Sequence, residues 1–307
     1  MTSDGLRLAD YRPRSRLRRP VHEVRRPRVP AIDAHNHLGP AFGGEWAAAA
    51  PAELVRVLDE AGIERIVDLD GGHGAALSAE IERWQTALPD RVTVFAGLDY
   101  DRWASDPDFG AAEAERLRDS ARRGARGLKV WKVLGLRARD PDGRLVAVDD
   151  KRLDPLWTTA AELDLPVVIH VADPVAFFDP LDPTNERWEE LLAHPDWHAW
   201  PTRRVDEPDD AAVPPFDELL GAFGRLIRRH HRTTFVGAHV GCAAEDLDLV
   251  SRLLDANPNL SVDIAARIAE LGRQPYTSRE FFLRHADRIL FGMDLAPDPD
   301  EYAIHYR

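Results

Sequence analysis

The chain has 307 residues and sets 53 acidic against 40 basic side chains, a formal charge of −13 that excludes nucleic acid and anionic membrane surfaces as main partners, because both demand basic patches. It contains no run of roughly 20 apolar residues and so offers no membrane span. A single cysteine, Cys242, excludes an intrachain disulfide and fits a reducing, cytoplasmic compartment.

The first 28 residues form a basic, proline-containing arm. Its pairs Arg18-Arg19 and Arg25-Arg26 are not followed by the apolar stretch that an export signal needs, so the arm is expected to pack on the acidic body or on a neighbouring subunit. From 29 to 307 the pattern is that of one unit in which short apolar runs alternate with amphipathic segments. Strands are expected over 29–38, 64–70, 91–99, 126–133, 165–172, 233–240, 260–266 and 288–294. Helical spacing falls between them, over 51–61, 75–88, 111–123, 154–163, 216–230, 245–257 and 278–285. Such alternation means parallel βα units, and eight of them predict an α/β fold closed as a distorted (β/α)8 TIM barrel.

Two stretches break the rhythm. Residues 174–215 form a long insertion rich in proline and acid, with Trp188, Trp197, His198 and Trp200, leaving the end of the fifth strand. Long loops at that place are expected to act as lids. The other break is the end at Arg307, soon after the eighth strand, which makes the barrel short at its C-terminus. If Asp294 points inward, Ile289, Phe291 and Met293 should form an uncovered apolar strip, or one covered by a partner subunit in a homo-oligomer.

The chemistry begins in "AIDAHNHLG". Side chains alternate along a strand with a period of two, so His35 and His37 face the same way and can share one metal ion. Imidazole suits zinc, manganese, iron and nickel, but two ligands are too few for tight binding. Three later strands also close on a polar group: "LPVVIHVAD" on His170, "TTFVGAHVG" on His239 and "RILFGMD" on Asp294. All lie at the C-terminal ends of their strands, where barrel active sites are built.

The ordered set His-x-His, His, His, Asp resembles the metal signature of the amidohydrolase superfamily, in the amidohydrolase-related branch that includes proteins similar to aminocarboxymuconate-semialdehyde decarboxylase. The resemblance covers about Arg28 to the C-terminus. It implies a divalent ion, zinc first with manganese, iron or nickel as alternatives, and one ion ahead of two. The ligands it implies are His35, His37, His170 and Asp294, with Asp294 and His239 as catalytic acid–base groups. Lys129 and Lys132, two of only three lysines in the chain, fall on the fourth strand. In two-metal relatives a carbamylated lysine there bridges the ions, whereas an ammonium would bind a substrate carboxylate. Their opposite parity lets only one face inward, and the motif does not choose between them.

Arg267, after the seventh strand, can clamp an anionic substrate group or pair with Glu270 or Asp263. Asp173 and Asp263 are placed to orient ligand histidines. The expected function is hydrolysis of an amide, lactone or ester of a small molecule by a metal-activated water. Two alternatives stand beside it: non-oxidative decarboxylation of an aromatic or unsaturated carboxylic acid, and a truncated barrel that binds metal without turnover.

Overall fold

The computed structural model describes residues 7, 10–18, 23–39, 44, 46–198 and 213–306. All eight expected strands are present and parallel: β1 (Ala31–Asn36), β2 (Ile63–Asp68), β3 (Val92–Val94), β4 (Leu128–Val130), β5 (Val167–Ile169), β6 (Phe235–Gly237), β7 (Leu260–Asp263) and β8 (Ile289–Leu290). Each is shorter than its apolar run predicts. The residues beyond each strand's end have left the ladder, and several of them carry the polar groups of interest.

The strands form two parallel sheets, β1-β2-β3 and β4-β5-β6-β7-β8, that meet at both edges. At one seam a bridge joins Ala96 to Leu128, and Lys129 N donates to Ala96 O over 2.7 Å. At the other, Ala34 N donates to Phe291 O over 2.9 Å, and Met293 N and Asp294 N both reach His35 O. Gly292 makes that second seam possible, because a Cβ there would lie 2.8 Å from the Cβ of His35.

Helices cover the outside where their apolar spacing places them. Pro51–Ala61 starts with proline in its first turn and ends on left-handed Gly62, and Phe216–Arg229 buries Leu219, Leu220, Phe223, Leu226 and Ile227 against the barrel. The helix expected over 75–88 is composite, with Gly74–Glu80 widening into a π-helical stretch at Ile81–Thr86.

The end of the chain corrects an expectation. Pro299–His305 forms a helix, capped by the Asp298 carboxylate, and packs on Pro51–Ala61. Its Tyr302 is fully buried, and the rings of Tyr302 and Tyr306 lie 6.3 and 5.6 Å from Phe291. Met293 is fully buried as well. The apolar strip is therefore partly covered from within the chain, because the helix carries Tyr302 and the residue that caps it, Tyr306, against Phe291. Among the described residues no helix is long and apolar enough to cross a membrane.

Candidate metal centre

β1 delivers the first two histidines through an irregularity. Asp33 pairs with Ile66 and Asn36 with Asp68, so three steps on β1 face two on β2, the signature of a bulge that re-aims side chains. The freed backbone is held by side chains: Asp33 Oδ1 accepts from His35 N at 3.2 Å, and Asn36 Oδ1 accepts from His37 N at 2.8 Å. His35 and His37 still converge, with their Nε2 atoms 3.5 and 3.0 Å from Asp294 Oδ1.

Asp294 lies beyond β8 rather than in it, at φ 56°. That left-handed conformation turns its carboxylate into the barrel. His239 also lies outside its expected strand. β6 ends at Gly237, and His239, Val240, Gly241 and Cys242 follow with φ of 58°, 59°, 64° and 62°. A left-handed turn with three non-glycine residues, one of them β-branched, is strained backbone and persists only where its surroundings over-determine it. Here Asp263 Oδ1 accepts from His239 N at 2.8 Å, and His239 Nδ1 donates to Ala265 O at 2.9 Å. The result aims His239 Nε2 to within 3.7 Å of Asp294 Oδ2.

Each converging imidazole is oriented through its other nitrogen. His35 Nδ1 donates to Asp263 Oδ2 at 2.8 Å, and His37 Nδ1 to Asp70 Oδ1 at 2.7 Å. Both bonds fix the tautomer that leaves Nε2 as a lone-pair donor. Nitrogen donors at His35 and His37 and a carboxylate oxygen at Asp294 lie within 4.8 Å of one another, a donor set that fits zinc or manganese. A second such group joins His35, His239 and Asp263, but Asp263 already accepts from both histidines.

Among the other predicted residues, His170 lies with its ring 4.4 Å from that of His239, while its Nε2 donates to Ala172 O at 3.1 Å and stands 3.5 Å from Asp173 Oδ1. It is outside both groups of converging donors. Lys129 is the lysine that points inward: it is fully buried, its Nζ 3.0 Å from His35 Nε2 and 4.9 Å from the centre of the Trp131 ring. Lys132 lies past the end of β4 and pairs with Asp173 at 2.6 Å.

Arg267 is buried and donates to Ala266 O at 2.7 Å. Neither expected partner takes it, since Glu270 pairs with Arg187 and Asp263 with His35. Among the described residues no carboxylate lies within ion-pair distance of it. The insertion is tied across this end of the barrel. Val175 N donates to Glu245 Oε1 at 3.1 Å, Arg187 binds Glu270, and Arg273 binds Glu186 at 2.9 Å. Trp188, Trp197 and His198 are described there, and Trp200 lies outside the described residues.

Electrostatics sort the groups. Burial pushes a carboxyl up, but His35, His37 and His239 around Asp294 more than offset it and hold its pKa well below the ordinary value. Burial pulls His37 down, yet the carboxylates of Asp294 and Asp70 outweigh it and raise it. His35 and His239 are pulled down by burial, and His170 falls to about 4 against the opposing pull of Asp173. Lys129 is lowered by burial. Asp263 and Asp173 both sit below the usual carboxylate range, because their histidine and lysine partners overcome desolvation.

Asp70 was not among the predicted residues. Its signal is present in "VDLDGG", a second-strand end with acids at alternate positions. His73 stands half-exposed, 3.9 Å from Asp99.

A family profile described as amidohydrolase matches residues 32–305. The chain belongs to the amidohydrolase family. Solved structures with similar folds include 2,6-dihydroxybenzoate decarboxylase from Rhizobium, at a TM-score of 0.56 and 18% identity over 90% of this chain and 91% of that one. A dihydroxybenzoic acid decarboxylase from Polaromonas, with bound manganese and the inhibitor 2-nitroresorcinol, aligns at 0.55 and 18% over 90% of each chain. The 5-carboxyvanillate decarboxylase of Sphingomonas paucimobilis aligns at 0.52 and 13% over 91% of this chain and 92% of that one. A comparison with curated protein sequences gives no match. This amidohydrolase therefore shares the TIM-barrel fold of these neighbours.

Proposed function

We propose that this amidohydrolase hydrolyses an amide, lactone or ester of a small molecule, with one divalent ion held by His35, His37 and Asp294 and with His170 closing the ligand set. The observation that carries this reading is the convergence of two carboxylate-oriented imidazoles on an ionised Asp294. A bound ion, zinc first and manganese as the alternative that the Polaromonas neighbour holds, would supply Lewis acidity toward the carbonyl and ionise water near neutral pH.

The protein's own groups do the rest. Asp294, held as a carboxylate, accepts the proton of the attacking water and later returns it to the leaving group. His239, 3.7 Å from it and fixed by Asp263, turns an Nε2 lone pair toward the site and can share the proton of the attacking water with Asp294. The buried Arg267, with no carboxylate partner among the described residues, and Lys132, beside Asp173, bind an anionic part of the substrate. We take residues 29–307 as one catalytic unit with 174–215 as its lid and 1–28 as its arm. The acidic surface and single cysteine support a small-molecule partner in a reducing, cytoplasmic setting.

A second reading, non-oxidative decarboxylation, is favoured by Arg267, because a guanidinium buried without a carboxylate suits an acid substrate.

Elemental analysis of the purified protein is expected to give about one equivalent of metal, lost in His35→Ala. The loaded enzyme should then release acid from lactones or esters in a pH-stat and no CO2 from aromatic acids. About two equivalents would assign Lys129, beside His35, to a bridging carbamate. A folded wild type that takes up no metal contradicts the reading.

A further inference from the structure

We propose that Tyr302, on the terminal helix Pro299–His305, is a positioning residue for the candidate metal centre, acting through Asp33 and Asn36. The inference rests on the reading of His35, His37 and Asp294 as ligands.

Tyr302 is fully buried, and its hydroxyl donates to Asp33 Oδ2 at 2.7 Å. The same oxygen accepts from Asn36 Nδ2 at 2.8 Å, while Oδ1 accepts from the backbone N–H groups of His35 and Met293, each at 3.2 Å. Asn36 in turn holds His37 N through its own Oδ1. One carboxylate and one carboxamide thus secure three backbone donors: those of both ligand histidines and of the residue before Asp294.

These bonds matter at this place because the ladder does not make them. β1 breaks register with β2 between Asp33 and Asn36, and β8 ends at Leu290, four residues before Asp294. Backbone bonds from Met293 N and Asp294 N to His35 O join the two segments, and the side chains of Asp33 and Asn36 hold the N–H groups of both histidines. A buried carboxylate with four donors is rigid, and it loses that rigidity when a donor is withdrawn. Tyr302 is the side-chain donor that comes from a distant part of the chain, 269 positions from Asp33. It couples the helix that covers the seam to the residues that the seam presents.

Tyr302→Phe tests this, because it removes one oxygen and keeps the ring against Phe291 and Tyr306. Tyr306→Phe is the control. Its hydroxyl follows the same helix but donates to Ala61 O at 3.2 Å rather than to Asp33. Cobalt(II) titration of the apo chains, followed by ligand-field absorption, reads both affinity and ligand geometry. Tyr302→Phe should bind cobalt on the order of 10- to 100-fold more weakly, with a changed absorption envelope, the loss typical of partners that orient metal ligands. Tyr306→Phe should match the wild type.

If Tyr302→Phe lowers the melting midpoint but leaves affinity within about twofold and the spectrum superimposable, the bond is merely structural and the proposal fails. If Tyr302→Phe does not fold, Asp33→Asn must show the same weakened, shifted cobalt spectrum, and an unchanged one overturns the proposal. A wild type that binds no cobalt overturns the metal reading and this inference together.

Discussion

Asp68 is fully buried at the end of β2, where Oδ1 accepts from Leu38 N at 3.0 Å and Asp70 N at 3.1 Å. Its other oxygen and Glu80 Oε1 are both buried without a hydrogen-bond partner among the described residues. A single proton shared between the two acids is the expected arrangement, because it would satisfy both oxygens. Burial pushes the Asp68 pKa from 3.8 up to about 8, with the charges of Asp70 and Glu80 adding to it. Because the folded pKa is raised, the stability that the neutral carboxyl contributes is complete below pH 3.8 and is lost as pH rises through about 8. Each pH unit in that window costs up to about 1.4 kcal/mol, or roughly 2–4 °C in melting midpoint for a chain of this class. Asp68→Asn keeps the donor to Glu80 and removes the titration. The wild-type midpoint should therefore fall behind that of the variant as pH is raised from about 5 to 9, as read by differential scanning calorimetry. Parallel curves would show that the two acids do not share a proton.

At the scale of elements, packing decides which glycines are fixed. Gly110 opens the helix Phe109–Arg123, and a Cβ there would fall onto the backbone carbonyl of Arg152, which cannot move without dragging the start of the helix Asp154–Glu162. Gly272, inside Ile268–Arg273, has nothing within 4 Å of its would-be Cβ. Gly110→Ala should cost about 1–3 kcal/mol or more through overpacking, whereas Gly272→Ala should gain about 0.5–1 kcal/mol from reduced unfolded-chain entropy. Urea denaturation of both variants separates the two effects, and equal midpoints would mean that the two helices do not meet as closely as described. The helix spans themselves were largely legible, because apolar spacing and a cap mark them locally: 51–61 is Pro51–Ala61, and 216–230 is Phe216–Arg229. The π-helical widening at Ile81–Thr86 carries no such local mark.

For the whole molecule, the ligands come from β1 and from beyond β8, so an ion bound between them would also pin the seam that closes the barrel. A ligand that binds only the folded state stabilises it by about 2.7 kcal/mol at 100 times its dissociation constant. Thermal melting with zinc or manganese at that level should show a midpoint raised by roughly 5–10 °C, reversed by chelator and absent in His35→Ala. A shift that survives in His35→Ala would place the ion elsewhere.

The sequence by itself determined the eight-strand order and the parallel barrel, because strand periodicity is a local property written in each segment, while the grouping of His35, His37 and Asp294 was implied by the family resemblance and is made in the fold by a bulge and a left-handed residue. It did not decide how those residues are held. The choice of Lys129 over Lys132 depends on which residue fits the closed interior, and the pairing of His37 with Asp70 depends on the β1–β2 register. The left-handed turn after β6 contradicts the ordinary preference of valine and cysteine, and only contacts with β7 impose it. The cover over the last strand was misread for the same reason: Tyr302 reaches Asp33 across 269 residues, and hydrogen bonds at that separation exist only after the chain has folded.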